Sequence, residues 1–207
     1  MTMEVLTKIG QLNNTAQQST NQVLISSLTT TIEMLKDRGY QNIQSCQSVE
    51  EITQNMLENK VIVQGGGRRS IHVFFHNEDR VGVKQLRTWV ETSMADNIVI
   101  VSLDGPTAFT KREAEQNYRQ VQFFTFRDLC VNITKHSLVP KHERVKDLKE
   151  LPIKISDHKG ELPILYTNDK IAQYYAYEVN DIIRIHRTTG SQEPTYFFRI
   201  VRQPPVS

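Results

Sequence analysis

The sequence predicts an α/β domain followed by a smaller mixed α+β domain. Three observations predict it. Over residues 22–134, apolar spacing of helical period alternates with short period-two and continuous apolar runs. Six of the seven prolines fall in 137–207. That same segment carries two alternating strands, Ile182–Arg187 and Tyr196–Val201, and a helix near Asp169–Tyr177. The expected division is an extension at 1–21, a first domain at 22–134 and a second at 135–207.

The elements follow in order. A helix is expected over about 22–38, with Leu24, Leu28, Ile32 and Leu35 on one face and Gly39 as a left-handed C-cap. Ser48 and Glu51 form a capping-box pair that opens a second helix to about Asn59. Val61-Ile62-Val63 and Ile71–Phe75 read as strands, with Gly65-Gly66-Gly67 as the hairpin turn between them. Gly82 to about Ala95 is helical, with Val83, Leu86 and Val90 on one side and Trp89 beside them. Ile98-Val99-Ile100-Val101 is a continuous apolar run, as in a strand buried on both faces. A helix over 111–119 and a strand at Val121–Phe124 come next, and Asp128 caps a brief helix to about Thr134. Tyr196, Phe197 and Phe198 read as core.

A length of 207 residues suits one large domain or two small ones. Apolar types at 38% and charged types at 23% exclude a disordered charged tail. No stretch approaches the roughly 18 uninterrupted apolar residues of a membrane span, so no membrane partner is expected. Met1-Thr2-Met3-Glu4 has neither the basic nor the apolar region of a secretory signal. Net charge is +2, too near neutral for autonomous nucleic-acid binding. Residues 1–134 hold 13 Lys/Arg against 14 Asp/Glu, and residues 135–207 hold 12 against 9, so the second domain is mildly basic.

Catalytic sets are missing from the pattern. Cys46 and Cys130 cannot build a disulfide framework or a four-thiolate zinc site. His136 and His142 stand six apart with no cysteine or His-Glu-x-x-His set beside them, so no metal is expected. Gly65-Gly66-Gly67 lacks the Gly-Lys-Ser/Thr ending of a phosphate loop. A restriction-endonuclease-like nuclease needs two acidic metal ligands and a lysine on adjacent strand positions. Glu78, Asp79 and Lys84 lie near the end of a strand, but the acid two places before the lysine is replaced by Gly82. The nuclease skeleton fits and its ligands do not. No catalytic residue and no cofactor are assigned.

Residues 131–142 read Val-Asn-Ile-Thr-Lys-His-Ser-Leu-Val-Pro-Lys-His. After them come Leu162-Pro163, Asp169, Ala172, Tyr174, the strand Ile182–Ile185 with Arg187, and Phe198-Arg199. In this order they resemble the fifth subunit shared by the eukaryotic nuclear RNA polymerases, whose archaeal counterpart lacks the N-terminal domain. Asp37–Tyr40, Val73–Phe75 and Val81–Lys84 look like the family's N-terminal half. Departures are Ala176 and Asn180 in place of two usual glycines, Ile164 and Gln173 in place of two usual arginines, an altered 188–195, and Pro152 where the family has a helix. Ala176 is expected to end its helix differently, because a Cβ disfavours the left-handed cap; Asn180 tolerates it.

The resemblance implies a non-catalytic structural subunit of a DNA-dependent RNA polymerase. Its N-terminal domain would be a restriction-endonuclease-like jaw beside downstream duplex DNA, and its C-terminal domain would anchor to the largest subunit. Gly105, Thr107, Lys111 and Arg112 are the expected nucleic-acid residues. His136, Leu138, Val139, Pro140, His142, Arg187 and Arg199 are the expected partner interface. Other polymerase subunits would be partners, and no homo-oligomer is expected. The two-domain form implies a eukaryotic nucleus, or the virion or cytoplasmic replication site of a large DNA virus. The alternatives are a divalent-metal nuclease and a free-standing adaptor that reuses the C-terminal domain.

Overall fold

The computed structural model describes residues 20–147, 151, 161–187 and 195–205. The chain divides into two compact units between Val131 and Asn132. The first runs through α1 (Thr20–Asp37), β1 (Gln41–Ser45), α2 (Val49–Leu57), β2 (Val63–Gly66), β3 (Ile71–Phe75), α3 (Val83–Thr92), β4 (Asn97–Ser102), α4 (Ala108–Asn117), β5 (Val121–Thr125) and α5 (Phe126–Leu129). Its five strands lie in sequence order. β2 runs antiparallel to its neighbours β1 and β3, and β3, β4 and β5 are parallel. The two parallel pairings are each linked through a helix, α3 or α4, as a crossover connection requires.

β4 is the centre of this unit. Every residue from Ile98 to Ser102 is buried, which is the expected both-faces pattern of a central parallel strand. On one face Phe74, Ile98 and Ile100 pack against Leu86 and Trp89 of α3 and Ala114 of α4. On the other, Phe75 meets Phe126 of α5 edge-on. α5 in turn lies along α1.

The apolar stripe of α1 differs from the expected one. Val23, Leu24, Met34 and Leu35 are buried together with Ser27, Thr30 and Thr31, whereas Leu28 and Ile32 sit at the margin. Hydroxyls can enter because the helix satisfies them: Thr31 Oγ1 donates to the Ser27 carbonyl at 2.7 Å. Gly39 does cap α1 at φ +88°, with Tyr40 N–H donating to Leu35 O and Gly39 N–H to Lys36 O. Ser48 caps α2 through Glu51 N–H, but the Glu51 carboxylate closes onto the Gln47 N–H.

Several elements depart from expectation. β1 carries no sequence signal: Gln-Asn-Ile-Gln-Ser is almost wholly polar because it is a sheet edge. Gly65 and Gly66 belong to β2 itself, and the chain turns after them, over Gly67–Ser70. A Cβ on Gly65 would lie 3.3 Å from both Ile71 and Tyr40, so the strand needs a glycine there for close packing. α4 starts at Ala108, earlier than expected, because Thr107 accepts the Thr110 N–H and fixes the N-cap. Asp128 is the third residue of α5; the cap is Thr125, and the two close a reciprocal capping box.

The second unit holds a 3-10 turn (Ile133–Lys135), β6 (Lys141–Arg144), β7 (Ile164–Tyr166), α6 (Lys170–Tyr175), β8 (Ile182–Arg187) and β9 (Thr195–Arg202). The sheet order is β6-β8-β9-β7, antiparallel except for the β7–β9 pair. Ile171 and Ala172 of α6 pack on Leu165, Ile183, Ile185 and Val201, with Ile133 and Val139 against the same cluster. Leu138-Val139-Pro140 forms no strand; β6 begins after Pro140, whose ring cannot donate to a ladder. Tyr196 and Phe197 are not core: they are 49% and 48% exposed. Ala176 takes the left-handed cap after all, at φ 51° and ψ 48°, with Tyr177 N–H donating to Ala172 O. Asn180 also holds a positive φ, of 75°. Pro152 and residues 188–194 lie outside the described residues, as does the extension before Thr20.

Candidate partner groove and nucleic-acid interface

β8 and β9 place alternate residues on one face of the second sheet. Ile183, Ile185 and Arg187 share that face with Phe197, Arg199 and Val201, because the register pairs Ile183 with Arg199 and Ile185 with Phe197. Beside them lies a groove of about 260 Å³. Six of the seven expected interface residues line it: Leu138, Val139, Pro140, His142, Arg187 and Arg199. Leu165, Asp169, Ile171 and Ile185 complete the lining.

Each lining group has a fixed local role. Leu138 is 84% exposed at the groove's mouth. His136 does not line the groove. It holds the turn that presents Leu138, because its Nδ1 accepts the Leu138 N–H at 3.2 Å and its carbonyl accepts the Val139 N–H at 2.9 Å. His142 Nδ1 donates to the Pro140 carbonyl at 2.7 Å. A carbonyl can only accept, so this contact sets the tautomer. Burial lowers the His142 pKa, and Arg199 and Arg187 push the same way against the Pro140 carbonyl and Asp169. The ring is therefore neutral at pH 7.

Asp169 caps α6 by accepting the Ile171 N–H at 2.8 Å. Arg199 Nη1 donates to the Ile164 carbonyl at 3.1 Å, an intramolecular partner. The Arg187 guanidinium lies over the Phe197 ring, 5.1 Å from its centroid. Arg187 is exposed.

The opposite face of this sheet holds a charged cluster with no counterpart among the expected site residues. Glu143 accepts from Arg184 Nη2 at 3.2 Å and pairs with His186 Nε2 at 2.7 Å and with the Lys141 ammonium. Lys141, then His186 and Arg184, hold the Glu143 pKa at about 2. Asn132, which fits a glycosylation pattern, is buried, its side-chain N–H donating to the Tyr174 hydroxyl at 3.0 Å.

In the first unit the loop after β4 is stitched to the loop after β3. Gly105 O accepts the Val81 N–H at 3.0 Å, while Thr107 N–H and Thr110 Oγ1 both donate to Val81 O. Gly105 is buried with φ +76°, and the Thr107 hydroxyl is engaged at the N-cap. These two residues shape the loop, and of the four expected residues Lys111 and Arg112 carry the exposed charge. The two cations are the fourth and fifth residues of α4, and Lys111 N–H already donates to Thr107 O; they do not face open helix-start amides. Lys111 lies 4.0 Å from Glu115. Arg80 and Arg87 are drawn to Asp104 and Glu113, at 3.9 and 2.7 Å. Gly82 is the N-cap of α3. Among the described residues no three His, Cys, Asp or Glu side chains converge as a metal site, and no helix is long and apolar enough to cross a membrane.

The floor residues Leu165, Ile171 and Ile185 escape sequence reasoning, because buried aliphatics in strand and helix patterns look like ordinary core. Asp169 carries a usable signal: an N-cap residue two places before the apolar pair Ile171-Ala172.

Fold and groove together define a two-unit mixed α/β protein with a groove beside its second sheet. Comparison with known proteins supplies what the chain is similar to. Residues 131–201 match the family described as RNA polymerase Rpb5, C-terminal domain, which is nearly all of the second unit. The chain is 28% identical over 170 residues to the DNA-directed RNA polymerases I, II, and III subunit rpabc1 of Dictyostelium discoideum, covering 76% of this chain and 86% of that one. It is 24% identical to the DNA-directed RNA polymerase V subunit 5A of Arabidopsis thaliana, over 82% of this chain and 84% of that one. The DNA-directed RNA polymerases IV and V subunit 5B of the same plant is 27% identical over 83% and 86%. The second unit thus matches the Rpb5 C-terminal domain family, and most of the chain is similar to proteins named as RNA polymerase subunits.

Proposed function

We propose that this chain is a non-catalytic structural subunit of a DNA-dependent RNA polymerase. In this reading residues 135–207 anchor it to the largest subunit and contact other subunits. Residues 22–134 form a restriction-endonuclease-like jaw beside downstream duplex DNA. One observation carries the reading: six of the interface residues expected from the sequence share a single groove in the unit that matches the family. Lys111 and Arg112, exposed on α4, are the proposed phosphate contacts, and Gly105 and Thr107 hold the loop in front of them. The protein breaks and makes no bonds and uses no cofactor. It works where its polymerase works, in the nucleus of a cell, or in a virion or cytoplasmic replication site.

The test is the subunit composition of a native complex purified through this chain. Stoichiometric recovery with the polymerase's catalytic subunits is expected. A complex without them would favour an adaptor, and metal-dependent cleavage of DNA by the isolated chain would favour a nuclease.

A further inference from the structure

The groove's shape and charge say what kind of segment fits it. Its volume of about 260 Å³ lies below the roughly 300–1,000 Å³ usual for small-molecule pockets, so it suits one or two side chains of a polypeptide. Its floor is aliphatic, from Leu165, Ile171 and Ile185. Its rim carries two guanidiniums, Arg187 and Arg199, against one carboxylate, Asp169. Arg187 is exposed and has no carboxylate partner among the described residues; it rests on an aromatic ring, which leaves its donors facing outward. Arg199 spends one donor on the Ile164 carbonyl, which fixes its fork in place. His142, which also lines the groove, is neutral and adds no competing charge.

We propose that the groove receives an extended acidic segment of the partner, with one Asp or Glu carboxylate held between Arg187 and Arg199 and a neighbouring aliphatic side chain on the Leu165–Ile171–Ile185 floor. This rests on the docking reading above and names the chemistry of its partner. A phosphate backbone is a poorer occupant, because it has nothing to place on an aliphatic floor. The carboxylate supplies direction and the aliphatic neighbour supplies buried area, the usual division between rim and centre of an interface.

The test uses the full-length chain and overlapping short peptides tiled across the largest subunit of its own polymerase. The retained peptides should each contain Asp or Glu beside Leu, Ile, Val or Phe. Arg187→Glu should weaken them at least roughly tenfold, and replacing the peptide acid with lysine should restore binding to that variant. Arg187 is the deciding position because it is exposed and bonds no backbone among the described residues; Arg199→Glu would also disturb β7. Retention of no peptide, or of non-acidic peptides only, overturns the proposal. So does unchanged binding by Arg187→Glu, or displacement of the peptide by duplex DNA or by a second copy of the chain. If the chain co-purifies with polymerase but Arg187→Glu co-purifies equally well in raised salt, the acidic segment is wrong and the docking reading stands. If the wild-type chain is absent from polymerase, the docking reading itself fails.

Discussion

The imidazole of His76 stands edge-on to the indole of Trp89, with ring centroids 5.2 Å apart and planes at 87°. His76 is 3% exposed at the end of β3, and neither of its ring nitrogens has a hydrogen-bond partner among the described residues. Burial lowers its pKa, while Glu78, 3.8 Å away, and the Arg80 backbone oppose the shift. An ordinary histidine titrates near 6.5. Above that pH both folded and unfolded chains hold it neutral, so it contributes nothing. As the pH falls below about 6.5 the unfolded chain takes up the proton first, and stability is lost progressively towards the folded pKa. The first unit should therefore have a lower urea midpoint at pH 5.5 than at pH 7.5. Trp89 is the chain's single tryptophan, so its fluorescence reports this unit alone. His76→Phe should flatten the dependence, leaving the smaller share of His72, whose pKa burial also lowers. Identical pH profiles for variant and wild type would refute the assignment.

Trp89 also stacks on Phe74 at 5.3 Å and donates its Nε1–H to the Asn59 carbonyl at 3.3 Å. It thereby ties α3 both to β3 and to the chain leaving α2. Trp89→Ala should cost about 3–5 kcal/mol, the range for emptying an aromatic site in a packed core. Because the mutation removes the fluorophore, the loss is read by urea denaturation followed by far-UV circular dichroism. A cost below about 1 kcal/mol would mean the site collapses freely around the gap.

Ala176 occupies a left-handed conformation that costs an L-residue roughly 1–2 kcal/mol. The cap holds because Ala176 N–H donates to Gln173 O and Tyr177 N–H to Ala172 O, which seats Tyr177 in the core. Ala176→Gly removes the Cβ penalty but adds unfolded-state entropy, for a net gain of about 1 kcal/mol. Thermal unfolding followed by tyrosine near-UV signals should shift upward. A downward shift would mean the Ala176 methyl is needed for packing.

What can be read from the sequence depends on burial on both sides. β4 is legible because four consecutive aliphatics admit few readings, and Gly39 and Ser48 are legible because caps are local chemistry. β1 is not, since an edge strand of glutamines and an asparagine carries no apolar signature. Tyr196 and Phe197 mislead for a different reason. Alternation says that successive strand residues face opposite ways, but not whether anything covers either face. In the groove, Arg187 and Arg199 are recognisable as polar residues on apolar strands, whereas His142 sits on the polar β6 and is found only through the family resemblance. The aliphatic floor is not, because only the folded register brings Leu165 of β7 and Ile171 of α6 beside Ile185 of β8.

Glu143 makes the opposite contribution to that of His76. Its pKa near 2 is set first by Lys141, with His186 and Arg184 adding, against an ordinary value of 4.5. A depressed carboxylate stabilises the fold above about 4.5, and that stabilisation is lost as pH falls from 4.5 towards 2. Glu143→Gln should lower the stability of the second unit by about 1 kcal/mol at pH 7, since the cluster is partly open to water. It should also remove most of that unit's acid sensitivity between pH 4.5 and 3. Tyrosine near-UV melts across this range decide it: parallel curves for wild type and variant would show that the cluster does not couple to folding.

Lys111 and Arg112 bear on the jaw reading directly. Both are exposed on α4, and Lys111 has only a 4.0 Å approach to Glu115, a surface pair worth little. Neither side chain supports the first unit's core, so Lys111→Gln with Arg112→Gln should leave folding and polymerase assembly intact. Each phosphate that is no longer neutralised should lower the slope of log binding against log salt by about 0.9. Polymerase containing the double variant should accordingly form promoter complexes that decay faster, with a shallower salt dependence than wild type. Arg87→Gln is the control, because Glu113 already engages that guanidinium at 2.7 Å. Unchanged decay and slope in the double variant would remove these two residues from the DNA path. Loss of assembly would show instead that α4 faces protein, and the jaw would have to be sought on another face of the sheet.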